Sequence, residues 1–226
     1  MAALAGAHVA VFGIGGVGSW AAETLARSGV GALTLIDHDT VDLSNINRQA
    51  EALHSTVGHF KAEAAAARLL DINPALTVRT IPEKYKAATR DRFFETPYTY
   101  VLDCIDLVSC KLDLIESCVR QSIPCISALG TGNKLDAEKL TVTDIAKTAM
   151  CPFARVIRKE LRRRGILHHT VVYSPEPAQV PLPLADPPPG RRSVPGSVMW
   201  VPATAGMLMA ADVIRRIIET KTPARP

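Results

Sequence analysis

The stretch His8-Val9-Ala10-Val11-Phe12-Gly13-Ile14-Gly15-Gly16-Val17-Gly18-Ser19 carries the reading of the fold. A short apolar run rich in β-branched residues enters glycines at 13, 15 and 18, and helical periodicity follows them, so the segment reads as strand, tight turn, helix. Gly13 permits the turn, Gly15 lets a backbone approach a phosphate, and Gly18 lets the helix lie close to the strand. Unpaired N–H groups and the positive end of the helix dipole then face an anion. Gly16 loosens the loop further. The pattern is that of a nucleotide-phosphate site, and alone it suits NAD, FAD and ATP alike.

Working outward, the first helix reads from about residue 16 to 28, with Gly29 as its stop. Residues 32–36 form a second strand that ends in Asp37-His38-Asp39. Asp37 falls nineteen residues after Gly18, where a carboxylate at a strand tip accepts hydrogen bonds from ribose hydroxyls; capping the next turn is the other use for acids there. Residues 58 to about 72 read as an Ala-rich helix with Lys61 in its first turn, closed by Asn73-Pro74, 76–81 as a third strand, and 98–105 as a fourth that ends at Asp106. A helix over 109–121 and a strand over 124–129 complete another βα unit. Alternating strands and helices imply a Rossmann-like α/β fold, a doubly wound and mainly parallel sheet with helices on both faces. Its ligand crevice lies beyond the carboxyl ends of the strands, so the glycine turn, Asp37 and Asp106 share it.

Further on, 140–145 reads as a strand and 153–164 as a basic helix. Arg155, Arg158, Lys159 and Arg162 recur along that helix at three- and four-residue spacing, with Arg163 and Arg164 beside them. Such a stripe suits tRNA phosphates or a solvated face, and Arg191 and Arg192 would extend it. The Pro-rich run 175–195 is expected to be an exposed, flexible loop. Residues 201–218 form an apolar helix, a C-terminal extension that packs on the core. With no internal repeat, residues 1–226 read as one domain.

Composition narrows the function classes. At 47% hydrophobic and 21% charged, the chain is an ordinary α/β protein, and no apolar run approaches the roughly 20 residues that span a bilayer. The N-terminus lacks the pattern of a signal peptide, so the expected compartment is the cytoplasm, with no membrane partner. Cysteines at 104, 110, 118, 125 and 151 form no C-x-x-C pair, which speaks for reduced thiols and against a paired-cysteine zinc site. A net charge of +4 is compatible with a nucleic-acid partner without marking one.

Two polar stretches sit between these elements. Residues 41–49 crowd Asn45, Asn47 and Gln49 beside Arg48, which suits recognition of something planar or anionic, or else a solvated loop of Asn turns. Lys61 opens a helix, where a cation opposes the dipole; it is placed for function there, or it snorkels at the surface.

Several of these stretches together resemble one family, the adenylating enzymes similar to ubiquitin-activating and sulfur-carrier-activating proteins. They are Gly13-Ile14-Gly15-Gly16-Val17-Gly18-Ser19, Asp37-His38-Asp39, Asn45-Ile46-Asn47-Arg48-Gln49, Gly58 with Lys61-Ala62-Glu63, and Asp103-Cys104-Ile105-Asp106. Ser19-Trp20-Ala21-Ala22-Glu23, Val142-Thr143-Asp144-Ile145-Ala146-Lys147-Thr148 and the basic helix resemble the family's tRNA-modifying branch. The resemblance implies ATP-dependent activation of a carboxylate as an acyl-adenylate. In this branch the substrate is the threonylcarbamoyl carboxylate on an adenosine beside a tRNA anticodon, which then cyclises with loss of water.

By the same resemblance, Gly13, Gly15, Gly16 and Gly18 line the ATP phosphates and Asp37, with Asp39 beside it, binds the nucleotide at the ribose end. Asn45, Arg48 and Lys61 contact the phosphates, with Arg48, Lys61 and Asp106 as the catalytic set, and Asp106 holds Mg2+. The chemistry agrees: attack on the α-phosphorus builds charge that a forked Arg48 and a point-charged Lys61 offset, and magnesium takes a hard carboxylate ligand. A homodimer is implied too. Relatives usually carry a helical segment before the first strand, able to lend an arginine across that dimer, whereas about seven residues precede it here. They often hold zinc with paired cysteines, and those that form thioesters keep a cysteine where 175–195 has none, which leaves Cys151 as the one candidate nucleophile near a loop.

Three other readings stay open from the residues. One is adenylation of the C-terminus of a ubiquitin-like sulfur carrier, with sulfur-transfer protein partners. Another is a NAD-dependent oxidoreductase, although Arg48, Lys61 and Asp106 have no evident use in hydride transfer. The last is an inactive ATP-binding scaffold.

Overall fold

The computed structural model describes residues 2–180 and 196–221. A four-residue helix α1 (Ala2–Ala5) leads into β1 (His8–Phe12), α2 (Gly18–Arg27), β2 (Ala32–Ile36), α3 (Lys61–Ile72), β3 (Thr77–Ile81) and β4 (Tyr100–Asp103). Then follow α4 (Val108–Arg120), β5 (Cys125–Ala128), β6 (Thr141–Asp144), α5 (Pro152–Arg163), β7 (Thr170–Tyr173) and α6 (Trp200–Lys221). The strands form one seven-stranded sheet in the order β3-β2-β1-β4-β5-β7-β6, parallel except for β6, which runs antiparallel to β7 at the edge. The Rossmann-like α/β reading thus holds.

Alternation along the strands explains the layers. Val9 and Val11 of β1, Leu33 and Leu35 of β2 and Leu102 of β4 face one side, where Ala21 and Leu25 of α2, Ala62 and Leu69 of α3, and Val201, Ala205 and Met209 of α6 cover them. Ala10, Phe12 and Val101 point the other way, against Leu114 and Cys118 of α4 and the aromatic group Tyr85, Phe93 and Tyr98. Leu112 and Ile115 extend that second layer to Ile157 and Leu161 of α5. Leu4 of α1 joins the first core, so the residues before β1 are packed helix.

Three differences from the sequence reading matter for the site. The fourth strand stops at Asp103, and Asp106 lies in the loop that follows. The strand over Thr170–Tyr173 was not in the sequence reading: it is four residues long and follows a polar histidine pair, so it carries no periodicity to read. The Pro-rich run does not begin as an exposed loop. Glu176 is buried and accepts hydrogen bonds from the Leu135 and Asp136 amides, while 181–195, with Arg191 and Arg192, lies outside the described residues.

Candidate active site

The strand order reverses between β1 and β4, and the loops after their carboxyl ends open a crevice there. Gly13 has φ +89°, and a Cβ on it would lie 2.8 Å from the Cys104 carbonyl oxygen, so the turn leans directly on the loop that carries Asp106. At Gly18 a Cβ would fall 1.8 Å from the Gly13 carbonyl oxygen; this closes the turn onto the first residue of α2. Gly15 is different, since a Cβ there would meet only Gln49 Nε2 at 3.8 Å, so that side of the turn has room for a ligand. Gly16 has a structural use not seen in the sequence. A side chain on it would crowd Pro202 of α6 at 3.2 Å and Arg48 Cγ at 3.4 Å.

Asp37 braces the turn. One carboxylate oxygen accepts from the Ile14 amide at 2.7 Å and the other from the Asp39 amide at 2.9 Å, so the turn-capping use is real, and free lone pairs remain for ribose hydroxyls. Asp39 Oδ2 lies 3.3 Å from Lys61 Nζ and its other oxygen 3.3 Å from His38. Lys61 is only 7% exposed and its amide donates to the Asp39 carbonyl, so it is a fixed ammonium at the start of α3 and no snorkelling surface chain.

Residues 41–49 contain a 3-10 turn, Leu43–Asn45, closed by a reciprocal cap in which Asp42 accepts from Ser44 and Asn45 Oδ1 accepts from Asp42. Asn45 therefore builds the turn with its oxygen and keeps its amide nitrogen for another acceptor. Arg48 is anchored by Nη1 to the Ser44 carbonyl at 2.8 Å and to Asn47 Oδ1 at 2.9 Å, and its carbonyl takes the Trp20 indole N–H. Asp106 is exposed and its carboxylate pairs with no described residue. A hard, unengaged oxygen donor at the rim suits a hydrated divalent cation.

Beneath the Asp106 loop lies a network that sequence reasoning missed. Asp103 and Lys111, both fully buried, form an ion pair at 2.7 Å; Ser127 donates to the same carboxylate oxygen, and the Ile105 amide donates to the other. Having given its one proton to Asp103, Ser127 accepts from His169 Nε2 at 2.7 Å. Burial, with Lys111 nearby, lowers the His169 pKa to about 4, so the ring is neutral. A charged residue closing an apolar strand was the available signal at Asp103; its partners come from α4, β5 and the start of β7.

The basic helix is divided in its roles. Arg158 turns inward to the Thr148 carbonyl and hydroxyl, which removes it from the stripe, because Thr148 ends the turn that α5 packs upon. Arg163 and Arg164 pair with Glu160. Arg155, Lys159 and Arg162 are exposed and pair with no described residue. Cys151 is buried against Gly130 and reaches no crevice solvent.

Comparison with known proteins gives the chain's family. A model described as the ThiF family matches residues 1–226. Over 225 residues the chain is 39% identical to the tRNA threonylcarbamoyladenosine dehydratase of Bacillus subtilis (strain 168), which covers 93% of this chain and 87% of that protein. The dehydratase of Escherichia coli (strain K12) is 45% identical over 158 residues, 70% of this chain and 59% of its own length. The molybdopterin-synthase adenylyltransferase of Salmonella typhimurium is 39% identical over 125 residues, 55% of this chain and 50% of its own length. The solved structure of the E. coli enzyme TcdA in complex with ATP has a TM-score of 0.86 at 37% identity, over 96% of this chain and 88% of that one. With a family model along its whole length and a dehydratase relative alike over most of it, the chain belongs to the ThiF family, beside the tRNA threonylcarbamoyladenosine dehydratases.

Proposed function

We propose that this chain uses ATP to cyclise threonylcarbamoyladenosine in tRNA, with net loss of water, through an acyl-adenylate. The observation that carries the reading is the joining of the glycine turn, Asp37, Arg48, Lys61 and Asp106 at one end of the sheet, in a chain whose likeness to dehydratases extends over 93% of its length. Likeness to molybdopterin-synthase adenylyltransferase and to the adenylyltransferase-sulfurtransferases covers 55–66% of the chain, less than the 93% shared with the B. subtilis dehydratase, which favours the tRNA substrate over a carrier protein and its sulfur-transfer partners.

In this reading the open face of Gly15 admits the phosphates, whose oxygens meet unpaired amides and the N-terminus of α2. Asp37 orients the ribose. The substrate carboxylate attacks the α-phosphorus and pyrophosphate leaves as the α–β bond breaks, while Arg48, through Nη2 and Nε, and Lys61 offset the growing charge. Magnesium, when bound, neutralises phosphate charge, and Asp106 is the residue to hold it. The carbamoyl group then attacks the activated carboxyl carbon, AMP leaves and one proton goes to solvent; the step is intramolecular, so it needs no protein nucleophile. Arg155, Lys159 and Arg162 take the tRNA backbone, and the enzyme works as a homodimer in the cytoplasm.

Purified protein with ATP, Mg2+ and threonylcarbamoylated tRNA is expected to yield a nucleoside lighter by one water in mass spectrometry of the digest. Pyrophosphate exchange that requires a carrier protein and ignores tRNA overturns the reading. Arg48→Ala and Lys61→Ala are each expected to lower kcat by about 100- to 1,000-fold with the fold intact.

A further inference from the structure

Glu51 has no part in the chemistry above, yet it stands at the same site. It is 2% exposed, and neither of its carboxylate oxygens has a hydrogen-bond partner among the described residues. An ionised carboxylate so placed is costly, and a buried acceptor without a donor calls for an explanation. Its own backbone amide, Ser19 of α2, the Lys61 ammonium of α3 and the Asp37 carboxylate beyond β2 face it. Burial is the largest influence and lifts the Glu51 pKa to about 7; the Glu51 amide, Lys61 and the Ser19 hydroxyl oppose it, and Asp37 adds to it.

We infer that Glu51 is a proton-accepting positioning residue of the ATP site, ionised in part while the site is free and protonated once nucleotide is bound. The inference rests on reading this crevice as an ATP site. In the free protein Lys61 is shared between Asp39, 3.3 Å away, and the Glu51 charge. Phosphates entering beside Gly15 bring negative charge and draw the Lys61 ammonium toward themselves. Both changes remove what keeps Glu51 ionised, so it takes one proton from solvent. Neutral Glu51 no longer competes for Lys61, whose charge is then directed at the phosphates. The proton returns to solvent when the site empties, and no covalent bond changes in this step.

Calorimetry of a non-hydrolysable ATP analogue with Mg2+, run in PIPES, HEPES and Tris at one pH, reads the proton directly. At pH 7 the wild type is expected to take up about half a proton per nucleotide, and its affinity to fall up to tenfold per pH unit above about pH 7. Glu51→Gln binds the analogue with that uptake gone and a flatter pH profile; the analogue's own phosphates titrate equally in both proteins, so the difference isolates Glu51. Equal uptake in wild type and Glu51→Gln overturns the inference, as does a wild-type affinity that is flat from pH 6 to 8.5. If Glu51→Gln does not fold, Glu51→Met is compared instead, and the wild-type profile stands on its own. Absence of any binding by folded wild type defeats the ATP-site reading instead, a separate result.

Discussion

Glycines 15 and 18 stand three residues apart in one turn, and substitution separates fold from function between them. A methyl at Gly18 would sit 1.8 Å from the Gly13 carbonyl oxygen, which is backbone, and 3.3 Å from Cys104 Cβ, so the clash is not relieved cheaply. Gly18→Ala is expected to cost about 1–3 kcal/mol and to weaken nucleotide binding at the same time. A methyl at Gly15 meets only the Gln49 amide at 3.8 Å, so Gly15→Ala is expected to melt within a degree or two of wild type yet bind ATP at least tenfold more weakly. Thermal melts with and without nucleotide separate the two cases; a Gly15→Ala protein that binds normally removes the phosphates from that face. Glu51 acts at the same scale through pH. Its folded pKa lies near 7 against 4.5 for the free side chain, so the unfolded chain holds fewer protons between those values and stability falls as pH rises through that window. The wild type is expected to lose on the order of 2–3 kcal/mol more than Glu51→Gln between pH 4.5 and 8, read as the difference of the two denaturant midpoints.

The loop from Cys104 to Leu107 owes its position to buried charge one layer below. Asp103 ends β4 and takes Lys111 from α4, Ser127 from β5 and the Ile105 amide from the loop itself. Lys111→Met leaves that carboxylate buried and unpaired, with an expected cost of about 3–5 kcal/mol in urea melts, whereas Lys111→Met joined to Asp103→Asn costs less than the single change. The same pair marks the boundary of what could be read in advance. Most strands and helices were legible because each is a run of apolar residues at a period of two or three to four, punctuated by glycine or Asn-Pro; α3 ends at Ile72 as expected and begins at Lys61, three residues inside the expected start. Legible too were the residues at strand ends, since the crevice rule places Asp37 and the 104–106 loop beside the glycine turn. The buried network was not, because Asp103 meets Ser127 across 24 positions and Ser127 meets His169 across 42, and no local pattern encodes such pairing. Arg158 misled for a related reason. Helical spacing places a cation on a face, but only tertiary structure shows Thr148 waiting beneath it.

At the scale of the molecule, the basic helix starts from the same end of the sheet as the crevice. Helix α5 begins at the carboxyl end of the sheet, where the Cys151 sulfur lies against the Gly130 turn after β5, and its axis carries Arg155, Lys159 and Arg162 at successive turns away from that rim. All three are exposed and engage no described acidic group, while their neighbours Arg163 and Arg164 share Glu160 and Arg164 also reaches Glu116. A polyanion whose reacting nucleoside enters the crevice therefore has a track of three free cations leading from it. Each phosphate neutralised releases counterions, so replacing Arg155, Lys159 and Arg162 by alanine is expected to reduce the slope of log affinity against log salt by roughly 2–3. The affinity for ATP should stay as in wild type, because none of the three touches the glycine turn or its braces. Filter binding of tRNA across 50–300 mM salt, paired with calorimetry of ATP, checks both halves. An unchanged slope with intact ATP binding would place the tRNA on another face and leave α5 a solvated helix, whereas loss of both would show that the helix supports the crevice itself.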